Sequence, residues 1–170
     1  MNKPNTEIER FKIIVIQSLK ENDLKTGEVL FDNTLKWKSI IRNDVPTEYY
    51  EVSSKEEFFR QIDSINKALS PGDILTLQLE THGCEKGVAF SNDDILNWKD
   101  FHDTIRTLNE TTGGLLVVCM AMCVGGATIS TIDPEKRAPY RAIVAPFKEV
   151  PAGTIEEGFA EFYSEYNNIM

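Results

Sequence analysis

The chain has 170 residues, 41% of them hydrophobic and 26% charged, and its 27 acidic and 18 basic side chains give a formal net charge of −9. This composition is typical of a globular protein, and we predict one domain spanning residues 1–170. The acidic balance disfavours binding to nucleic acid and to anionic membranes, since both require clustered lysine and arginine.

The N-terminus and the cysteines indicate the compartment. The first residues lack the apolar core of a signal peptide, and no run of about 18 apolar residues could cross a bilayer. Three cysteines, an odd number, are predicted to be reduced thiols rather than a disulfide framework. We therefore expect a cytoplasmic protein.

Strand and helix patterns alternate along the first part of the chain. The apolar run 11–19 predicts a strand buried on both faces, and the spacing of apolar residues in 29–41 fits either a helix or a hairpin. A short strand is expected at 48–53. Ser54 and Glu57 then form a capping-box pattern, which opens a helix whose apolar residues share one face: Phe58, Phe59, Ile62, Ile65 and Leu69.

The same alternation continues to the end of the chain. The patterns predict strands at 73–81, 115–122 and 140–147, a short ribbon over 86–94, an amphipathic helix over 98–108, and a last helix opened by a capping box at Thr154 and Glu157. Strands that alternate with helices indicate an α/β fold. We expect a three-layer sandwich, in which helices cover both faces of a mostly parallel central sheet of five to six strands.

Two reactive side chains stand at the carboxyl ends of predicted strands. His82 follows the strand 73–81, and Cys123 follows the strand 115–122. Functional sites of parallel sheets gather at these strand ends, and an imidazole near a thiol helps to generate the nucleophilic thiolate. The sequence therefore predicts a His82–Cys123 catalytic pair.

The residues next to this pair are predicted to bind the substrate. Glycines allow close approach of the backbone, so we assign the oxyanion hole to the amides of Gly83 and Cys123. Glu80, Ala121 and Gly125, which flank the pair at the same strand ends, are assigned to substrate binding.

The remaining cysteines and histidine have simpler interpretations. Cys119, in mid-strand, is expected to pack in the core, and His102 is expected on the surface of its helix. A zinc site would need ligands such as the set His82, Cys84, Cys119 and Cys123, but these residues lack the usual C-x₂-C pair. Cys119 and Cys123, four residues apart along a strand, would lie about 13 Å from each other, too far to bind one ion. No nucleotide-binding loop is present. We expect no metal and no other cofactor.

The order and spacing of these motifs resemble the caspase-like cysteine peptidases, a group that includes caspases, metacaspases, gingipains, separases and CHAT-type domains. A strand ends in His82-Gly83, and a strand about forty residues later ends in Cys123-x-Gly125. The tail 137–166, a strand, a loop and a helix with a Phe-Tyr pair, is similar to the closing segment of CHAT-type domains. The resemblance covers residues 11–166.

The resemblance implies a caspase–haemoglobinase fold with His82 and Cys123 as the dyad and the Gly83 amide in the oxyanion hole. It implies a protein or peptide substrate and a role in bacterial stress or antiviral (phage) defence, and it leaves room for a homodimer and a protein activator. Because the chain ends soon after its last helix, we expect a caspase-like sixth strand to be missing.

The chain departs from the family where the substrate side chain would bind. Caspases have glutamine and metacaspases aspartate two residues before the catalytic cysteine, whereas this chain has Ala121. A charge in the pocket could instead come from the loops 20–28, 84–94 or 127–139, and the last of these contains Asp133, Glu135, Lys136 and Arg137, which fit solvated loop charges equally well.

Two functions follow from the sequence. The first is a cysteine endopeptidase, in which Cys123 attacks a peptide carbonyl and His82 is the general acid and base. The second is a catalytically inactive caspase-like module that binds or regulates a partner. An open cavity shared by the two side chains would favour the first.

Overall fold

The structure is a computed structural model that describes residues 10–37 and 45–166. Its described elements, in chain order, are β1 (Arg10–Ser18), α1 (Thr26–Leu30, continued by a π-helical turn, Phe31–Leu35), β2 (Thr47–Glu51), α2 (Lys55–Ala68), β3 (Asp73–Cys84), β4 (Gly87–Ala89), β5 (Ile95–Asn97), α3 (Trp98–Thr111), β6 (Leu116–Ala121), a 3₁₀ helix (Gly125–Thr131), β7 (Ala142–Val144) and α4 (Ala152–Tyr166).

The centre of the fold is a parallel sheet with the strand order β2-β1-β3-β6-β7. Two short antiparallel strands, β4 and β5, extend the sheet from the end of β3. The predicted α/β fold with a mostly parallel sheet between two helical layers is therefore confirmed, as is the ribbon predicted at 86–94.

Each face of the sheet carries its own hydrophobic core. The residues on one face of the strands pack against α2 and α3, through side chains such as Phe58 and Phe101. The alternate residues pack against α1 and α4, through Leu30, Phe159 and Tyr163. The central strands β1, β3 and β6 are apolar on both faces because helices cover them on both sides.

Helix ends follow local capping chemistry in two of the three longer helices. The Ser54 hydroxyl accepts a hydrogen bond from the Glu57 amide, as the sequence predicts, and the Glu57 carboxylate accepts one from the Ser53 amide. Asn97 caps α3 through the amide of Asp100. The capping box predicted at Thr154 is wrong, because α4 already begins at Ala152, directly after Pro151.

Other boundaries differ from the sequence-based predictions for identifiable reasons. Residues 26–35 are helical, which decides between the helix and the hairpin for the described part of 29–41; residues 38–44 lie outside the described residues. β3 runs on to Cys84 because β4 pairs with its end. β7 is shorter than the predicted strand 140–147, since Pro146 cannot donate a ladder hydrogen bond.

No helix in the described part of the chain is both long enough and apolar enough to span a membrane.

Candidate active site

The register of the sheet brings His82 and Cys123 to the ends of adjacent strands. β3 and β6 are parallel neighbours, and their ladder ends with Glu80 opposite Ala121. His82 lies two residues further along β3, and Cys123 lies two residues after Ala121, in the turn that follows β6. Both side chains line one open cavity of about 200 Å³ on the α1–α4 side of the sheet.

Asp23 holds the imidazole of His82. Its Oδ2 lies 2.8 Å from His82 Nε2 and also accepts a hydrogen bond from the Lys20 amide at 2.7 Å. The hydrogen bond with His82 is the main reason that the pKa of Asp23 lies below its ordinary value, so the carboxylate is ionised at neutral pH. A carboxylate only accepts hydrogen bonds, so His82 Nε2 carries a hydrogen and, in the neutral ring, Nδ1 is the basic nitrogen.

The thiol of Cys123 is half-buried and lines the same cavity. Its Sγ donates a weak hydrogen bond to the Val150 carbonyl, at 3.8 Å. Within residues 10–37 and 45–166, the thiol and the imidazole thus have separate partners and do not hydrogen-bond to each other. The His82 side chain is 55% exposed, which leaves its ring accessible to a bound substrate.

Gly83 is in close contact with the backbone of Cys123. A Cβ at this position would lie 2.3 Å from the Cys123 carbonyl oxygen, so a larger residue would displace the strand end that carries the thiol. A two-residue turn closes the β3–β4 hairpin, so Cys84 and Gly87 form a hydrogen-bonded pair. Hydrogen-bonded and non-hydrogen-bonded pairs alternate along an antiparallel ladder. The next pair, Gly83 and Val88, is therefore not hydrogen-bonded, and the Gly83 N–H is directed away from β4.

The backbone turns sharply after Cys123. Val124 has a φ of 52°, in the left-handed region that β-branched residues rarely adopt. The chain then enters the 3₁₀ helix, where Gly126 packs so closely under the Phe147 ring that a Cβ would lie 2.7 Å from it. Residues with strained backbone angles cluster at functional sites. The left-handed conformation of Val124 sets the direction in which the chain runs from Cys123 into the 3₁₀ helix.

The structure separates the three residues assigned to substrate binding. Ala121 lines the cavity. Glu80 is only 1% exposed and lies below the cavity wall, where its carboxylate accepts hydrogen bonds from Thr26 and Gln78. Gly125 is buried against Met120, Met122 and Ala145, away from the lining of the cavity.

The other cysteines are apart from this site. Cys119 is fully buried in the α1–α4 core, as predicted, and burial raises the pKa of its thiol to about 12. The Cys84 thiol donates to the Gly87 carbonyl within the hairpin. Across the described ranges, no group of three histidine, cysteine or acidic side chains is arranged to hold a metal ion.

The prediction that His102 lies on the surface is wrong. Its side chain is 1% exposed, and its Nε2 lies 2.7 Å from the Thr128 hydroxyl in the 3₁₀ helix that follows Cys123. Arg106, one turn further along the helix, is also buried, and its side chain donates a hydrogen bond to the Arg137 carbonyl.

No model of a known protein family matches this chain, and no curated protein matches it.

Sequence reasoning did not single out Asp23. The loop 20–28 was one of three considered as a source of charge in the substrate pocket, whereas its Asp23 contacts His82. The signal that could have identified it is positional, since β1 is the neighbour of β3 and its following loop lies at the same edge of the sheet.

Proposed function

We propose that this protein is a cysteine endopeptidase that uses Cys123 as the nucleophile, His82 as the general acid and base, and Asp23 to position His82. One observation carries the proposal: an imidazole oriented by a carboxylate and a half-buried thiol project from adjacent strand ends into one open cavity. A nucleophile, a base and a group that orients the base form the arrangement required for covalent catalysis.

The chemistry follows from the placement of the two side chains. The Cys123 thiol transfers its proton to His82 Nδ1, and the thiolate attacks the carbonyl carbon of the scissile peptide bond. His82 then gives that proton to the leaving amine, which leaves a thioester on Cys123. A water molecule, deprotonated by His82, hydrolyses the thioester and regenerates the thiol.

The Gly83 amide supports the charge that develops in this reaction. Its N–H is directed away from β4, and its backbone lies against that of Cys123. We expect this N–H to meet the oxygen of a carbonyl that the thiol attacks. An N–H that meets an oxyanion stabilises the transition state more than the ground state. The Cys123 amide is the second proposed donor.

Covalent labelling tests the proposal. A set of peptidyl acyloxymethyl ketones with different side chains is incubated with the reduced protein, and the adducts are located by mass spectrometry after digestion. We expect one adduct, at Cys123, which is lost in Cys123→Ala and strongly slowed in His82→Ala. Cys84→Ser is the matched control, because Cys84 is also a half-buried thiol but lies outside the cavity.

One contact favours a second function, a binding module without catalysis. The Cys123 thiol is hydrogen-bonded to the Val150 carbonyl rather than to His82, as expected for a thiol that has only a structural role. Failure of every ketone to modify Cys123 in the correctly folded protein would support this alternative and contradict the peptidase.

A further inference from the structure

Beyond Asp23, His82 and Cys123, the wall of the cavity is uncharged. Apart from these three residues, its lining consists of two threonines, Ala152 and six apolar residues, among them Leu24, Met122, Val150 and Ile155. A charged substrate side chain placed here would lose its hydration and meet no charge of the opposite sign among these wall residues.

The charges nearest the cavity are already paired. Asp23 accepts hydrogen bonds from His82 and from the Lys20 amide, and the Lys20 ammonium pairs with Asp93 at 2.5 Å. The Lys25 ammonium donates to two backbone carbonyls of its own loop. The loop 20–28 therefore contributes hydrogen bonds that shape the site and leaves no unpaired cation on the cavity wall.

The charged loop 127–139 lies on the other side of the sheet. Lys136 pairs with Asp103 of α3, and the Arg137 carbonyl accepts a hydrogen bond from Arg106 of the same helix. Helix α3 belongs to the face opposite the cavity. The Lys136 ammonium is thus directed away from the cavity, and the loop that carries Asp133, Glu135 and Arg137 packs beside α3 rather than beside the cavity.

Glu80 lies near the cavity but is separated from it. Its two carboxylate oxygens accept from Thr26 Oγ1 at 2.6 Å and from Gln78 Nε2 at 2.7 Å. Thr26 and Ala121, which do line the cavity, lie between it and the carboxylate. The substrate therefore meets Thr26 and Ala121, rather than the Glu80 carboxylate, at this wall.

The size of the cavity fits an apolar side chain of medium size. A closed apolar cavity of about 150 Å³ accommodates a benzene molecule, and this one measures about 200 Å³. Val150 and Ile155 also line a second cavity of about 230 Å³, which adjoins the first. The other walls of this second cavity include Val144, Pro146, Phe159 and Phe162. The apolar surface next to the thiol is thus continuous with a larger apolar groove along α4.

We propose that the substrate residue whose carbonyl is attacked carries an uncharged, apolar side chain the size of leucine, methionine or phenylalanine. The Cα of that residue is bonded to the carbonyl carbon under attack, so its side chain is the one closest to Cys123. This inference rests on the proposed peptidase function and specifies its substrate class.

A series of fluorogenic peptides tests the inference. The peptides are identical except at the residue before the scissile bond, which is Leu, Met, Phe, Ala, Lys, Arg, Asp or Glu. We expect kcat/KM for the best of Leu, Met and Phe to exceed that for every charged residue by at least about 10-fold. Preference for a charged residue, or values within about 3-fold across the series, would overturn the inference and leave the peptidase function standing.

A variant of the wall provides an independent readout. Ile155→Ala removes apolar contacts from the cavity, so kcat/KM for the best apolar peptide is expected to fall about 10-fold while that for the alanine peptide changes little. Glu157→Ala, at an exposed position of the same helix, is the control. An equal loss for both peptides contradicts the assignment of this wall.

The two failures can be told apart by the labelling of Cys123. If no peptide is cleaved and no acyloxymethyl ketone of the same series modifies Cys123, both the specificity and the peptidase function are overturned. If Cys123 is modified fastest by ketones with charged side chains, only the specificity is overturned.

Discussion

A histidine that acts as a base must present one particular ring nitrogen to its partner, and at this site Asp23 makes that choice. Its carboxylate lies 2.8 Å from His82 Nε2 and fixes the hydrogen there. The same Oδ2 is held by the Lys20 amide, so the aspartate is itself anchored to the loop after β1. The imidazole is therefore oriented by two consecutive hydrogen bonds rather than by packing.

Asp23→Asn is expected to lower kcat about 100-fold with little change in KM. An amide in this position can donate to Nε2, which favours the ring tautomer with its hydrogen on Nδ1, where the thiol proton must be accepted. Steady-state kinetics with an apolar peptide and the rate of Cys123 alkylation measure the effect. Asp93→Asn is the control, because Asp93 forms an ion pair with Lys20 and does not contact His82. Its kcat should stay within about 3-fold of the wild-type value. A larger effect on KM than on kcat would indicate that Asp23 binds substrate instead.

The residues that the sequence identifies are those with distinctive chemistry at a strand end. His82 and Cys123 could be placed at the same edge of the sheet because parallel neighbours end together. Asp23 could not be distinguished from other loop acids, since its role depends on where the loop 20–28 folds. Likewise, the burial of Glu80 follows from the path of α1 over the sheet, and nothing in the local pattern shows it.

At the scale of elements, buried strands and long amphipathic helices are predictable, but their ends depend on tertiary contacts. α2 has its predicted cap because Ser54 and Glu57 act within one turn. β3 is longer than predicted because another segment, β4, pairs with it. The burial of His102 requires α3 to pack against the 3₁₀ helix after Cys123, a contact between segments that are distant in sequence.

His102 makes the contact between α3 and that 3₁₀ helix sensitive to acid. Burial first, and the nearby Arg106 second, lower the pKa of His102 below its ordinary value of 6.5, while Asp103 opposes the shift. A base that binds its proton less well when folded stabilises the fold above its unfolded pKa and loses this contribution as pH falls. The free energy of unfolding should therefore decline as pH falls below 6.5.

His102→Gln is expected to reduce this decline, because an amide can still hydrogen-bond to Thr128 and does not titrate. Urea unfolding at pH 7.5 and pH 5.5 measures the change in stability for wild type and variant. His82, the other histidine of the chain, is present in both proteins and does not contribute to the difference between them. Lys99→Gln, at an exposed position of the same helix, should retain the wild-type decline. An identical pH dependence in His102→Gln would show that the buried imidazole is not responsible.

At the scale of the whole molecule, a chain of buried polar side chains joins the sheet to both helices of one layer. Glu80, in the central strand β3, accepts hydrogen bonds from Thr26 at the start of α1 and from Gln78. Gln78 in turn accepts one from the Tyr163 hydroxyl of α4. These two helices also carry walls of the cavity, so its shape depends on this chain of hydrogen bonds.

The buried carboxylate of Glu80 limits stability at high pH. Desolvation by burial raises its pKa from 4.5 to about 7, against the opposing hydrogen bonds from Thr26 and Gln78 and with a small contribution from Glu156. A group that holds its proton more tightly when folded stabilises the fold below its unfolded pKa, and this contribution is lost as pH rises from 4.5 through about 7. The shift corresponds to roughly 3 kcal/mol.

Glu80→Gln should therefore stabilise the protein at pH 8 by up to about 3 kcal/mol and change its stability at pH 5 by less than about 1 kcal/mol. The new amide can accept from Gln78 and donate to the Thr26 hydroxyl, so the chain of hydrogen bonds is preserved. Urea unfolding at the two pH values measures both effects.

Glu110→Gln, at an exposed position, is the control for the loss of one negative charge from a chain of net charge −9. Equal stabilisation by both variants at pH 8 would assign the effect to net charge. Destabilisation by Glu80→Gln at pH 8 would instead mean that the ionised carboxylate, and not the neutral acid, holds α1 and α4 on the sheet.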